Sequence, residues 1–411
     1  MTARSFLFLQ GPPGPFYSQL ATGLRASGHR CHRINLNGGD WLDWRGHADN
    51  FTGQLAGWSA YLHDFATRHE VSDIILFGDC RPHHVAARAY AATQDIVVHV
   101  FEEGYIRPDW VTLERGGVNG NSSLPRDPEA YLSLASGLPP VPTYRPVPSS
   151  FLRRAREACA YFLSAWLLTP VFRGYRSHRP YPVRNEFGGW LRRMVCRPLA
   201  RARSMRTLKQ IAGRPFFLLP LQLDSDHQIR THSPFSGMRD AIAGILASFA
   251  AHAPAECLLL VKEHPLDNGL HGWRRTVMEL AGSLGIARRV RFIEHGDLYS
   301  IVAAATGVVT VNSTTGTLAL ASHIPVIVLG QAVYDLPGVT HQEGLDAFWS
   351  VPTPPQLEIY AAFRRVLVAR SLLRGGFSSV EGRKLLVPAA VERLRAACDR
   401  MPVTEEEKAR A

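Results

Sequence analysis

Twice along this chain, short apolar runs that stop on polar residues alternate with segments of helical spacing, and this alternation restricts the fold more than any other feature. The first series reads "SFLFLQ", a Gly/Pro loop, the helical "FYSQLATGLRASG", "HRCHRINL", a helix around 51–69, "SDIILFGD", the helical "HHVAARAYAATQ" and "IVVHVF". A proline-rich stretch, "LPPVPTYRPVPS" (138–149), interrupts it. The second series starts at "RPFFLLPLQL" (214–223) and continues through "ECLLLVKEHP", "VRFIEH", "TGVVTVN" and "IPVIVLG", with helical segments between them. β-branched runs separated by helices imply βαβ units on a parallel sheet. The chain is too long for one core, so the expectation is α/β with two Rossmann-like domains divided near residue 205. Their extents are 1–205, 206–375 and a C-terminal helix and tail over 376–411, with helical patterns at 356–373 and 379–398. The last helix is expected to pack back across the junction, and two facing domains leave a cleft suited to small ligands.

In parallel sheets ligands collect beyond the carboxyl ends of the strands, so the residues there are the candidates. "IVVHVFEEGYIRPDW" ends its apolar run on Glu102 and Glu103, a paired carboxylate suited to acid/base work, or else a solvated acidic loop. "QGPPGPF" sets Gly11 and Gly14 where backbone can approach a ligand, without the Lys of a Walker loop; a plain turn is the alternative. "NLNGGDW" offers Asn37, Asp40 and Trp41 to the same edge, where sugar hydroxyls can use them.

In the second series "TVNSTTGTLALASH" places Asn312, Ser313, Thr314, Thr315 and Gly316 at a helix start, a phosphate-binding arrangement or simple capping. "LLLVKEHPLD" ends on Lys262, His264 and Pro265, where the lysine and the imidazole can both donate to phosphate. "LPLQLDSDHQIR" carries Asp224 and Asp226. Two carboxylates without a third ligand are a weak metal match, and covalent catalysis is their alternative use.

The net charge of +11 is concentrated: residues 151–214 hold 14 Arg and 1 Lys against Glu157 and Glu186, or +13, leaving −2 for the rest. Within this block "AYFLSAWLLTPVF" (160–172) is too short to span a bilayer. Flanked by arginines, it suits an interfacial segment on anionic lipid, a buried helix with a basic solvent face, or a nucleic-acid patch. Six cysteines without metal or CxxC spacing read as reduced thiols, and the start shows no export signal, so a cytoplasmic location is expected.

Taken in order, "QGPPGPF", "NGGDW", "FEEGYIRPDW", "GGVNGNS", "QLDSD", "KEHP" and "NSTTG" resemble the capsule polysaccharide biosynthesis and export family, and within it the single-module, KpsS-type retaining β-Kdo transferases. The resemblance implies a GT-B-like fold and CMP-Kdo as donor. It implies transfer with retention onto lyso-phosphatidylglycerol or phosphatidylglycerol at the inner face of the inner membrane. No metal or other cofactor and no nucleic acid is expected, and capsule assembly or export proteins are expected partners. It points to Asp226, at the end of a Q-x-x-x-D pattern from Gln222, as nucleophile and to Glu103 as acid/base, with Asp224 and Glu102 as the neighbours able to take those roles. Arg107, Asn119 and Gln222 join the substrate-binding set. "KEHP" and "NSTTG" also look like motifs of bacterial sialyltransferases, so another CMP-sugar transferase is the nearest rival. A non-catalytic nucleotide-binding accessory of capsule export is the rival of another class.

Overall fold

The computed structural model describes residues 3–148, 150–176, 183–224 and 227–396. It divides into two compact units. One takes Met1–Ser123, Pro140–His178 and Leu367–Ala411; the other takes Leu124–Pro139 and Arg179–Val366. The chain therefore changes unit ahead of residue 205, and the basic block is shared between the two. Nor is the C-terminal segment separate, because it completes the first unit.

Strands β1 (Ser5–Phe8), β2 (Arg30–Asn35), β3 (Asp49–Asn50), β4 (Asp73–Phe77), β5 (Val97–Glu103) and β6 (Trp110–Arg115) belong to the first unit. The second holds β7 (Phe216–Pro220), β8 (Leu258–Lys262), β9 (Val290–Ile293), β10 (Gly307–Thr310) and β11 (Val326–Val328), after which β12 (Leu372–Arg374) returns to the first sheet. The sheet orders are β12-β6-β5-β4-β1-β2-β3 and β11-β10-β7-β8-β9. Every pairing from β3 through β1 and β4 to β5 is parallel, as is the whole second sheet. In β1, β7, β8 and β10 every residue is buried. Strands covered on both faces cannot alternate, and this is why they appear in the sequence as unbroken apolar runs.

Helices α1 (Phe16–Ala26), α2 (Gly38–Asp43), α3 (Trp58–Arg68) and α4 (Pro82–Thr93) lie between the first unit's strands. α5 (Pro128–Ala135) belongs to the second unit, α6 (Phe151–Leu167) to the first, and α7 (Val183–Ile211) again to the second. α8 (His227–Thr231), α9 (Met238–His252), α10 (Trp273–Ser283), α11 (Leu298–Ala303), α12 (Thr315–Ala321), α13 (Leu345–Phe348) and α14 (Leu357–Arg370) complete the second unit, apart from the last turn of α14; α15 (Val380–Ala396) closes the first. The second core joins Leu219, Leu259, Val261 and Val309 of the sheet to Ile242, Ile245 and Phe249 of α9 and to Trp349. The first joins Phe6, Phe8 and Phe101 to Phe16, Leu20 and Leu24 of α1 and to Leu386, Ala390 and Leu394 of α15.

Three strands depart from the sequence reading. β3 is two residues long and pairs parallel with β2 where the reading has no strand. β6 forms an antiparallel hairpin with β5, and β12 pairs antiparallel with β6. The helical pattern over 356–373 takes in Leu372 and Leu373 of β12; three residues carry no period of their own. The hairpin also changes the setting of the paired carboxylates. β5 runs on through them, with Glu102 opposite Thr112 and Glu103 opposite Val111.

Both strand orders reverse direction once. In the first sheet the reversal lies between β1 and β4, and in the second between β7 and β10. At such a point the two neighbouring connections leave on opposite faces, opening a crevice at the strands' carboxyl ends.

Candidate functional site

In the first unit a pocket beyond β1 and β2, one strand over from the reversal, is lined by Gly11, Pro12, Gly14, Tyr17, Arg33, Asp40, Asp43, Trp44 and Tyr161. The glycines are there because neighbours crowd them: a side chain at Gly11 would meet the Tyr17 ring and one at Gly14 the Glu157 carboxylate. Gly14 also has φ of +106°, a conformation that disfavours any side chain. Its N–H donates to Asp43 Oδ2 at 2.7 Å, while burial pushes the Asp43 carboxyl up to about 6. Tyr17 Oη and Glu157 Oε2 are buried here with no hydrogen-bond partner among the described residues.

Asn37 and Asp40 are held inside the protein. Asn37 Oδ1 caps α2 by accepting from the N–H groups of Gly39 and Asp40, and its Nδ2 donates to Tyr161 Oη at 3.1 Å. Tyr161 Oη donates to Asp40 Oδ1 at 3.0 Å, and Arg33 pairs with the same carboxylate oxygen at 2.9 Å. Side chains at Gly38 or Gly39 would strike Ser164 and Tyr161 of α6, so the two glycines let α2 and α6 close on this network. Trp41 is exposed beside it. Nothing local in "AYFLSAW" marks Tyr161 as the hub, because its partners lie more than a hundred residues away.

Along the same sheet edge Glu103 is about one-third exposed, and its Oε1 lies 3.2 Å from Arg154 Nη2 of α6. Glu102 turns back instead, accepting the Glu103 N–H on Oε1 at 2.9 Å. Arg107 is exposed in the hairpin loop, with Nε 3.4 Å from the Gly104 carbonyl. Asn119 has φ of +57°, and its backbone N–H donates to Tyr105 Oη at 2.7 Å. That leaves the Tyr105 hydroxyl proton for Glu114, a buried carboxyl on β6 that the sequence reading passed over. Ser122 donates to Glu114 as well.

Burial pushes Glu114 up to about 7 despite these hydrogen bonds. A carboxyl raised in the folded state binds a proton that the unfolded chain has lost, so stability falls as pH rises from about 4.5 to 7. The loss attributable to Glu114 is up to about 3 kcal/mol. Thermal melts of Glu114→Gln at pH 5 and pH 8 should accordingly differ less than those of the parent; an unchanged gap removes Glu114 as its source.

In the second unit the carboxyl ends of β10, β7 and β8 stand side by side. Gln222 and Asn312 bridge the reversal point: Gln222 Nε2 donates to Asn312 Oδ1 at 2.7 Å and Gln222 Oε1 accepts from the Asn312 N–H at 3.1 Å. Beside them Ser313 Oγ accepts the Thr315 N–H at 3.1 Å and lies 3.2 Å from Thr315 Oγ1, while the Thr314 carbonyl accepts from Thr317. Gly316 is required by close packing, because a side chain there would collide with Tyr334.

Lys262 ends β8 with only 5% exposure, and its Nζ lies 3.4 Å from the Glu263 carbonyl. It has no ion pair among the described residues, and burial followed by the Arg193 charge holds its pKa below the ordinary lysine value. Burial likewise pushes Glu263 up to about 7, although Arg193 Nη1 sits 2.8 Å from its Oε2. His264 Nδ1 accepts the Leu266 N–H at 3.1 Å, which leaves Nε2 as the protonated nitrogen of the neutral ring; Pro265 is exposed. Asp224 Oδ1 accepts the Met238 N–H at the start of α9 at 2.9 Å, and Oδ2 lies 3.3 Å from Arg230. Asp226 lies outside the described residues. Lys262, His264, Gln222 and the 312–316 turn thus gather on one sheet edge, and Arg193, one of many arginines in its stretch, was not singled out by the sequence.

A family model described as "Capsule polysaccharide biosynthesis protein" matches residues 72–378. The chain is 33% identical over 379 residues to the capsule polysaccharide export protein KpsS of Escherichia coli, covering 90% of this chain and 96% of that one. It is also 33% identical over 389 residues to the capsule polysaccharide modification protein LipB of Neisseria meningitidis serogroup A, covering 92% of each. Among solved structures it resembles Thermosulfurimonas dismutans KpsC, a β-Kdo 2,7 transferase, at 15% identity and a TM-score of 0.48, covering 96% of this chain and all of that one.

Proposed function

The chain belongs to the capsule polysaccharide biosynthesis protein family, and from that premise we propose that it is a glycosyltransferase moving Kdo from CMP-Kdo to a phosphatidylglycerol-type lipid at the inner face of the inner membrane. Transfer proceeds with retention and starts the Kdo linker of the capsule. The observation that carries the donor site is Lys262, a buried lysine that makes no ion pair among the described residues, although the Glu263 carboxylate acts on it from further off. A buried charge of this kind is costly until an anion arrives. The monophosphate of a CMP-sugar supplies one, with His264 Nε2–H and the Ser313, Thr314 and Thr315 hydroxyls as further donors. Gln222 and Asn312 position that turn, and Pro265 and Gly316 shape the backbone around it.

In the first unit Glu103 is the acid/base and the pocket at Gly11 and Gly14 receives the acceptor, with Trp41, Arg107 and Asn119 along its approach. Asn37 and Asp40 act by positioning α2. Asp226 is the nucleophile. No metal enters this scheme: a monophosphate leaving group is neutralised by the lysine and the histidine, and activity should withstand EDTA. An accessory that only bound nucleotide would gain nothing from carboxylates set beside an anionic sugar.

The test is incubation with CMP-Kdo or CMP-sialic acid and a fluorescent lyso-phosphatidylglycerol, read by mass. A Kdo adduct supports the reading, a sialic acid adduct moves it to the rival donor, and no adduct with either sinks it. Titration of CMP by calorimetry addresses the site. Lys262→Met and His264→Ala should each weaken binding roughly 10- to 100-fold, the contribution of a charge-assisted hydrogen bond. Parental affinity in both variants would dismantle the assignment.

A further inference from the structure

α7 is mounted with its polar side inward. Gly189 is buried where a side chain would strike the Asn268 carbonyl, Arg193 pairs with Glu263, and Ser204 Oγ contacts Glu294 Oε2 at 3.1 Å and accepts the N–H groups of Glu294 and His295. These anchors recur at intervals of three to four residues or their multiples, so they define one face of the helix. Phe187, Trp190, Leu191, Met194, Val195 and Leu199 keep the same spacing on the other side. Phe187, Met194, Val195 and Leu199 are each at least two-thirds exposed. α9 in the same unit shows the ordinary arrangement, with Met238, Ile242, Ile245 and Phe249 all buried. A continuous stripe of large apolar side chains turned outward marks an interaction surface.

We infer that this stripe of α7 inserts into the interfacial region of an anionic lipid bilayer. From residue 187 to 199 the stripe extends about 18 Å along the helix axis, short of the roughly 30 Å of a hydrocarbon core. The helix therefore lies in the plane of the surface. No helix among the described residues is long and apolar enough to cross a membrane. Residues 183–211 hold seven Arg and one Lys against Glu186, a net charge of +7. Arg192 and Arg201 are exposed with no ion pair among the described residues, placed to meet lipid phosphates as the apolar side chains sink in. Trp190, less exposed than its neighbours, suits the headgroup level. The same charge opposes a second copy of this chain, which would set +7 against +7. Nucleic acid would leave the apolar stripe unused.

The inference deepens the lipid-acceptor reading by naming the element that meets the membrane, and its test uses no sugar, so either reading can fail alone. The full chain is sedimented with vesicles of phosphatidylcholine, with and without phosphatidylglycerol, over a range of salt. The triple variant Leu191→Ser, Met194→Ser, Leu199→Ser should lose at least about tenfold in partitioning to the anionic vesicles at low salt. Neutralising Arg192 and Arg201 to Gln should reduce both the preference for anionic lipid and the salt dependence. Melting curves check the fold, and the single Met194→Asp change repeats the test should the triple variant unfold. Parental partitioning in the apolar variants overturns the inference. So does a parent chain that ignores vesicles, or one whose dimer is broken by the stripe changes.

Discussion

Replacing Asp226 by alanine is expected to abolish Kdo transfer while thermal stability and CMP binding persist. In the proposed course Asp226 attacks the anomeric carbon, CMP leaves, and the lipid hydroxyl opens the glycosyl-enzyme, so that two inversions give retention. The neighbouring carboxylate supplies the control. Asp224 accepts the first N–H of α9 and faces Arg230, so Asp224→Ala should cost about 1–2 kcal/mol of stability, as loss of a helix-terminal acceptor does. Intact-protein mass after exposure to CMP-Kdo should show one added Kdo on the peptide containing Asp226. An adduct on Asp224 would transfer the role to it; an inverted product by NMR would end the double-displacement scheme.

The second large effect belongs to Glu103. Removing a general acid/base slows a reaction by roughly 10²- to 10⁴-fold, and Glu103→Gln should fall in that range. In the same variant the glycosyl-enzyme should accumulate, since the group that activates the lipid hydroxyl is gone. Glu102→Gln should be milder because that carboxylate is turned back onto its own backbone. Equal losses in both variants, without accumulation, would mean that the pair serves the hairpin instead of the chemistry.

The sequence disclosed the sheets better than the site. β7, β8 and β10 are buried on both faces and therefore legible as apolar runs. β6 mixes polar residues into its run and ends on the charged Glu114 and Arg115, and β12 has three residues, so neither reads as an unbroken apolar run. Which unit owns a helix was also hidden. α6 and α7 are both arginine-rich, and it is contacts such as those of Gly189, Arg193 and Ser204 that tie α7 to the second unit. The strand ends were correctly sought as the place for polar residues, but their use was not readable. Asn37 and Asp40 looked ligand-facing until Tyr161 accounted for them. Lys262 is the converse: what marks it is burial without an ion pair among the described residues, which no local motif can display.

Because β12 and α15 complete the first unit, the amino-terminal half of this protein is not independent of its carboxyl end. During synthesis the earlier segments leave the ribosome first, yet the edge of β6 and the α1 face that meets Leu386 and Leu394 stay uncovered until residues 372–396 follow. The second unit, whose last segment ends at Val366, has all its residues earlier. A nascent chain of this protein therefore waits with an unpaired strand edge and exposed aromatics. A stop codon or fusion placed after Val366 would register as a folding defect at the opposite end of the polypeptide.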